Sequence, residues 1–130
     1  MCFSRCPVSE QAERLKARTM QFALDVSALL KLLPTSEPGP TVKRQLAKSA
    51  TSIAANYRAA CRARSHAEFT ARIGTVAEEA DESSFWLQFI AADRMVSTPR
   101  LAQLQAEGRE LLAIFSATLG TARHNARSEA

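Results

Sequence analysis

A chain of 130 residues, 46% hydrophobic and 23% charged, with a formal net charge of +4, has the apolar content of one soluble globular domain. Three cysteines, Cys2, Cys6 and Cys61, make no disulfide framework, and with only His66 and His124 beside them they make no zinc site. No apolar run approaches the ~20 residues that cross a bilayer, and the opening MCFSRCPVSEQ lacks the core of a signal peptide. A cytoplasmic protein with no membrane partner is expected.

The mild net charge conceals an uneven layout. Between Thr41 and Arg72 stand seven basic residues and one acid; between Ile73 and Ser97 stand five acids and one base. A charge distribution of this kind suits binding, either to further copies of the chain or to a polyanion.

Helix punctuation divides the chain into four segments. Ser9 caps a first helix over 9–33, which Pro34 ends. The stretch Pro34 to Pro40 is a loop, and a second helix runs over 41–63 from Thr41. A break at Arg64-Ser65 precedes a third helix over 66–94. Thr98-Pro99 then opens a fourth over 98–120, with residues 1–8 and 121–130 as frayed tails.

All four segments repeat an apolar spacing of three and four. The stripe is Ala12, Leu15, Thr19, Phe22, Val26, Leu29 and Leu33 in the first, and Val42, Leu46, Ala50, Ile53 and Tyr57 in the second. In the third it is Phe69, Ile73, Val76, Ala80, Ser83, Leu87 and Ile90, and in the fourth Leu101, Leu104, Gly108, Leu111, Phe115 and Thr118. Such stripes pack at a shallow angle, and the short loops force successive helices to alternate in direction. The expected fold is all-α, a single antiparallel up-down-up-down four-helix bundle.

Residues outside the stripes are the candidates for function. On the third helix Glu78, Glu82, Phe85 and Phe89 fall on one line nearly opposite Leu87, with Trp86 on a flank. Either this helix is buried on two sides within the bundle, or the aromatic pair is an oligomer interface. On the second helix Arg44, Lys48, Ala55 and Arg62 share an outward line, with Arg58 beside it and Arg64 in the turn. These cations are either a solvated helix end or a nucleic-acid-binding patch that contacts phosphates. Lys48 is expected level with Asp81 and Arg44 near Glu82, as ion pairs within one subunit or between two. Because the basic and the acidic-aromatic faces are different surfaces, their mutual docking would be head-to-tail and could close a ring.

Catalytic constellations are missing. The acids lie outside the stripes, no Glu-x-x-His occurs, four glycines form no phosphate loop, and two histidines assemble no triad. A non-enzymatic protein without catalytic residues, metal or cofactor is expected.

The run from Gln45 to Ile90 resembles the four-helix-bundle family of bacterial 23S rRNA-intervening-sequence proteins. The likeness rests on QLAKSATSIAAN at Gln45 to Asn56, the basic RARS at Arg62 to Ser65, Glu68-Phe69, and EEADES at Glu78 to Ser83. It extends loosely through Phe22 to Pro34 and Leu101 to Leu119. Many members have proline where Ala54 stands, and an acid plus glycine where this chain has Tyr57-Arg58-Ala59-Ala60. The family is similar to the accessory protein of diversity-generating retroelements, a basic pentameric barrel. The resemblance therefore implies a homopentamer with RNA or DNA binding through the basic face. The competing expectation is an oligomeric protein-protein scaffold that binds no nucleic acid.

Overall fold

The computed structural model describes residues 9–129 and contains four α-helices: α1 (Glu10–Leu30), α2 (Gly39–Ala60), α3 (His66–Ala92) and α4 (Pro99–Glu129). Each helix packs on its neighbours in sequence, and α1 also closes on α4, more lightly than on α2. Ser49 of α2 meets Ser83 of α3, and Asn56 meets Arg72, so residue numbers run in opposite senses along that pair. The same holds for α3 and α4, where Gly74 lies against Leu119 and Leu87 against Gly108.

The stripes read from the sequence are the core. Every stripe residue is buried except Leu15 and Thr118, which are partly buried, and the largest sealed side chains include Phe22, Leu29, Leu46, Ile53, Leu87, Leu111 and Phe115. Tyr57 and Phe115 meet across the bundle with ring centroids 5.2 Å apart. The polar pair Ser49 and Ser83, sealed inside, satisfies itself: Ser83 donates to Ser49 Oγ at 2.8 Å, and Ser49 donates to the Leu46 carbonyl at 3.3 Å.

Helix ends differ from the expected boundaries for local reasons. At the end of α1, Leu32 and Leu33 donate to the carbonyls of Leu29 and Leu30, so the last turn tightens before Pro34, which has no N–H to offer. Gly39, not Thr41, starts α2, because Pro40 is tolerated in a first turn whose N–H groups are unpaired anyway. The Glu37 carboxylate accepts from both the N–H and the hydroxyl of Thr41. Ser65 caps α3 by accepting from the Glu68 N–H at 3.0 Å, and Glu68 reaches back to the Arg64 N–H at 3.1 Å.

The expected frayed tail after Gly120 is helix instead, since α4 continues to Glu129. Gly120 does not break it, because its φ is not in the left-handed region. Ala122 is buried, and its carbonyl accepts from His66 Nε2 at 2.7 Å, which ties the extension to the start of α3. A carbonyl only accepts, so the Nε2 position of His66 carries the proton. The expected tail over 1–8 lies outside the described residues, as do Cys2 and Cys6.

The end of α3 carries a strained residue. Met95 N–H donates to the Ile90 carbonyl and Arg94 N–H to the Ala91 carbonyl, which puts Arg94 in the left-handed conformation at φ 56°. A side chain costs about 1 kcal/mol there relative to glycine. Arg94→Gly is expected to raise the thermal midpoint by about 4 °C. An unchanged or lower midpoint in a calorimetric scan would show that the arginine side chain makes up the loss.

Candidate interaction surfaces

The turn after α2 decides where its arginines point. Cys61 and Ala63 are both fully buried, so the alternate residues Arg62 and Arg64 are turned out to solvent. Arg44, Lys48 and Arg58 are exposed along the helix itself. Among the described residues none of these five cations forms an ion pair; Arg44 donates only to Thr41 Oγ1, at 3.3 Å. Within one copy the pairings expected for Lys48 with Asp81 and for Arg44 with Glu82 do not form. The charge of Lys48 reaches Glu79 instead, two residues nearer the helix start than Asp81.

These cations are not one continuous patch. Arg44 and Arg58 stand about 21 Å apart at 1.5 Å per helical residue. Arg44 joins Lys31 and Lys43 around a shallow depression with Ser27, Leu30 and Ala47. Arg58 and Arg62 stand over a larger groove of about 720 Å³ between α1 and α2. Its floor is built of small or flexible side chains: Ala17, Met20 and Ala23 from α1, and Thr51, Ala54 and Ala55 from α2. Lys16 and Glu13 complete the rim and pair with each other at 2.7 Å. Just beyond lies Leu24, 56% exposed, and Met20 itself is 50% exposed.

The outward line of α3 behaves differently. Phe85 is 53% exposed, so it is not sealed within one subunit, while Phe89 is half-buried. Trp86 holds the two together, with centroids 4.8 Å from Phe85 and 5.7 Å from Phe89, both edge-on. Its indole N–H is buried without a hydrogen-bond partner. Glu78 and Glu82 are exposed beside the aromatics. Partial burial raises the Glu79 carboxyl above its ordinary value, the charges of Glu82 and Glu78 push the same way, and Lys48 opposes them. Arg72 and Glu79 both face α2, and Trp86 follows at the same spacing of seven, so the ridge leans to the α2 side.

The remaining large electrostatic feature joins α1 to α4. Arg18 donates from Nε and Nη2 to the two carboxylate oxygens of Glu107, at 2.6 and 2.8 Å, and also contacts Glu110. These hydrogen bonds raise the guanidinium further above its already high range. This bidentate pair closes the most lightly packed side of the bundle and leaves Arg18 unavailable to a ligand.

The order of these parts matches a known family. The model of the 23S rRNA-intervening sequence protein family matches residues 13–117. The chain belongs to that family. A solved structure, that of a protein of unknown function from the S23 ribosomal protein family of Bacteroides thetaiotaomicron VPI-5482, resembles this family member in fold. The two are 24% identical, and the match covers 80% of this chain and 96% of that one with a TM-score of 0.73. No curated protein sequence matches the chain. Among the described residues, no three His, Cys, Asp or Glu side chains are grouped to hold a metal ion. No helix among them is long and apolar enough to cross a membrane.

Sequence reasoning located both charged faces but missed the groove. Met20 and Leu24 are an apolar i, i+4 pair off the α1 stripe, the same signal that singled out Phe85 and Phe89. The alanines of the floor carry no such signal.

Proposed function

We propose that this family member is a non-enzymatic homo-oligomer that assembles head-to-tail through its acidic-aromatic ridge and binds nucleic acid, RNA foremost, through its basic face. The observation that carries the reading is the set of five exposed cations, Arg44, Lys48, Arg58, Arg62 and Arg64, none of them in an ion pair among the described residues. Unpaired surface cations raise the local concentration of polyanions and release counterions on binding. With no base-reading side chains set among them, the contacts would go to phosphate and carry no sequence preference. A homopentamer is the form that the resemblance implies.

The test joins light scattering to retention of a mixed RNA pool at about 50 mM salt. Binding is expected to weaken steeply with salt. The triple change of Arg58, Arg62 and Arg64 to Ser is expected to flatten the slope of log Kd against log salt by about 0.7 for each single-strand phosphate that is no longer neutralised. Assembly is expected to survive the triple change, because exposed ion pairs contribute only about 0–1 kcal/mol. An oligomer that retains neither RNA nor DNA at low salt would refute the nucleic-acid half and leave the protein-protein scaffold.

A further inference from the structure

The ridge on α3 and the groove between α1 and α2 agree in length, in chemistry and in the order of that chemistry. From Glu78 to Phe89 the ridge spans about 16 Å, and from Glu13 to Ala23 the groove spans about 15 Å. Along α3 the ridge begins acidic, with Glu78 and Glu82, and ends aromatic, with Phe85 and Phe89. Along α2 the groove begins with small side chains, Thr51 and Ala55, and ends basic, with Arg58 and Arg62. Laid in opposite senses, each exposed half meets its complement in one register: Glu78 with Arg62, Glu82 with Arg58, Phe85 with Ala55, and Phe89 with Thr51.

We infer that the α1–α2 groove is the socket for the Phe85–Phe89 ridge of a second copy of this chain. The inference rests on the assembly half of the proposed function and supplies the surface that receives the ridge. A volume of about 720 Å³ is in the range that buries a whole small ligand, so it has room for two phenyl rings. Exposed Met20 is an adaptable wall for aromatic guests. The surfaces differ, so the contact is head-to-tail and each copy keeps one free ridge and one free socket until the assembly closes. Ridge and socket lie on neighbouring sides of the bundle that share α2, so successive copies turn and do not stack in a straight line. Glu13 is the one acid on the socket rim, and Lys16 already neutralises it at 2.7 Å. Each guanidinium has five donors, so Arg58 and Arg62 can meet a neighbour's carboxylate on one edge and keep another open to phosphate.

A mixing experiment on the full chain tests this directly. Phe85→Asp spoils the ridge, and Ala55→Trp fills the socket. Both positions are exposed in the single copy, so circular dichroism and thermal melts should match wild type. Each variant alone is expected to run as a monomer by light scattering at a concentration where wild type is assembled. Their mixture is expected to give a 1:1 dimer, because one carries the only intact socket and the other the only intact ridge. Met20→Glu is expected to reproduce the Ala55→Trp behaviour from the α1 side. If wild type assembles and Phe85→Asp does not, while Ala55→Trp and Met20→Glu assemble as wild type does, the socket is elsewhere and the assembly reading stands. A mixture that stays monomeric also overturns the socket. A monomeric wild type at ~100 µM, well above the micromolar range of weak specific interfaces, sinks assembly and socket together.

Discussion

Gly39→Ala is expected to lower stability by about 3 kcal/mol, a fall of roughly 10 °C in the thermal midpoint, although alanine is the better helix former. A Cβ at position 39 would lie 1.9 Å from the carbonyl oxygen of Pro34 and 2.9 Å from its carbonyl carbon. Those are backbone atoms, so no side chain can swing away, and the loop between α1 and α2 must shift. Propensity alone gives the opposite sign, a gain of about 1 kcal/mol. A calorimetric midpoint at or above wild type would show that the loop re-forms at no cost and that the close approach is not needed.

The second large effect lies at the centre of the bundle. Phe115→Ala is expected to cost about 3–5 kcal/mol, a large part of the roughly 5–15 kcal/mol that holds a domain of this size together. Phe115 is fully buried and tilted against Tyr57 at 5.2 Å, so truncation opens a cavity and removes that ring contact. The urea midpoint should fall accordingly. Phe85→Ala is the control, expected within about 0.5 kcal/mol of wild type because its ring is 53% exposed. If both phenylalanines cost the same in a monomeric preparation, the division between core and ridge would be wrong.

Those two phenylalanines show how much the chain discloses when read alone. Phe115 falls in a three-four stripe and Phe85 opposite one, and burial follows that division across four helices. Periodicity works here because each helix has a single apolar stripe and a short route to the next. Helix ends were less legible. Proline at 34 marked the stop of α1 to within one turn, but nothing local announces that Ala122 is held down by His66 from the start of α3. That bond joins residues far apart in sequence, so only the folded arrangement reveals it. The candidate site divides in the same way. Each charged face was visible as a line on one helix, whereas the groove needs two helices and owes its depth to alanines, which look neutral in any pattern. Within one copy the pairings expected for Lys48 and Arg44 do not form, because level alone does not set which way a long side chain turns.

The hydroxyl pair between Ser49 and Ser83 fixes how far α3 sits along α2, with Glu82 level with about Ala50 of its own copy. Docked on the next copy, that glutamate would meet Arg58, about eight residues or ~12 Å farther up the rod. Upright rods offset by that amount would climb as a spiral staircase and never rejoin. For bundles about 20 Å across, a lean of roughly 30° absorbs the climb and lets the last copy reach the first, like slanted staves in a cask.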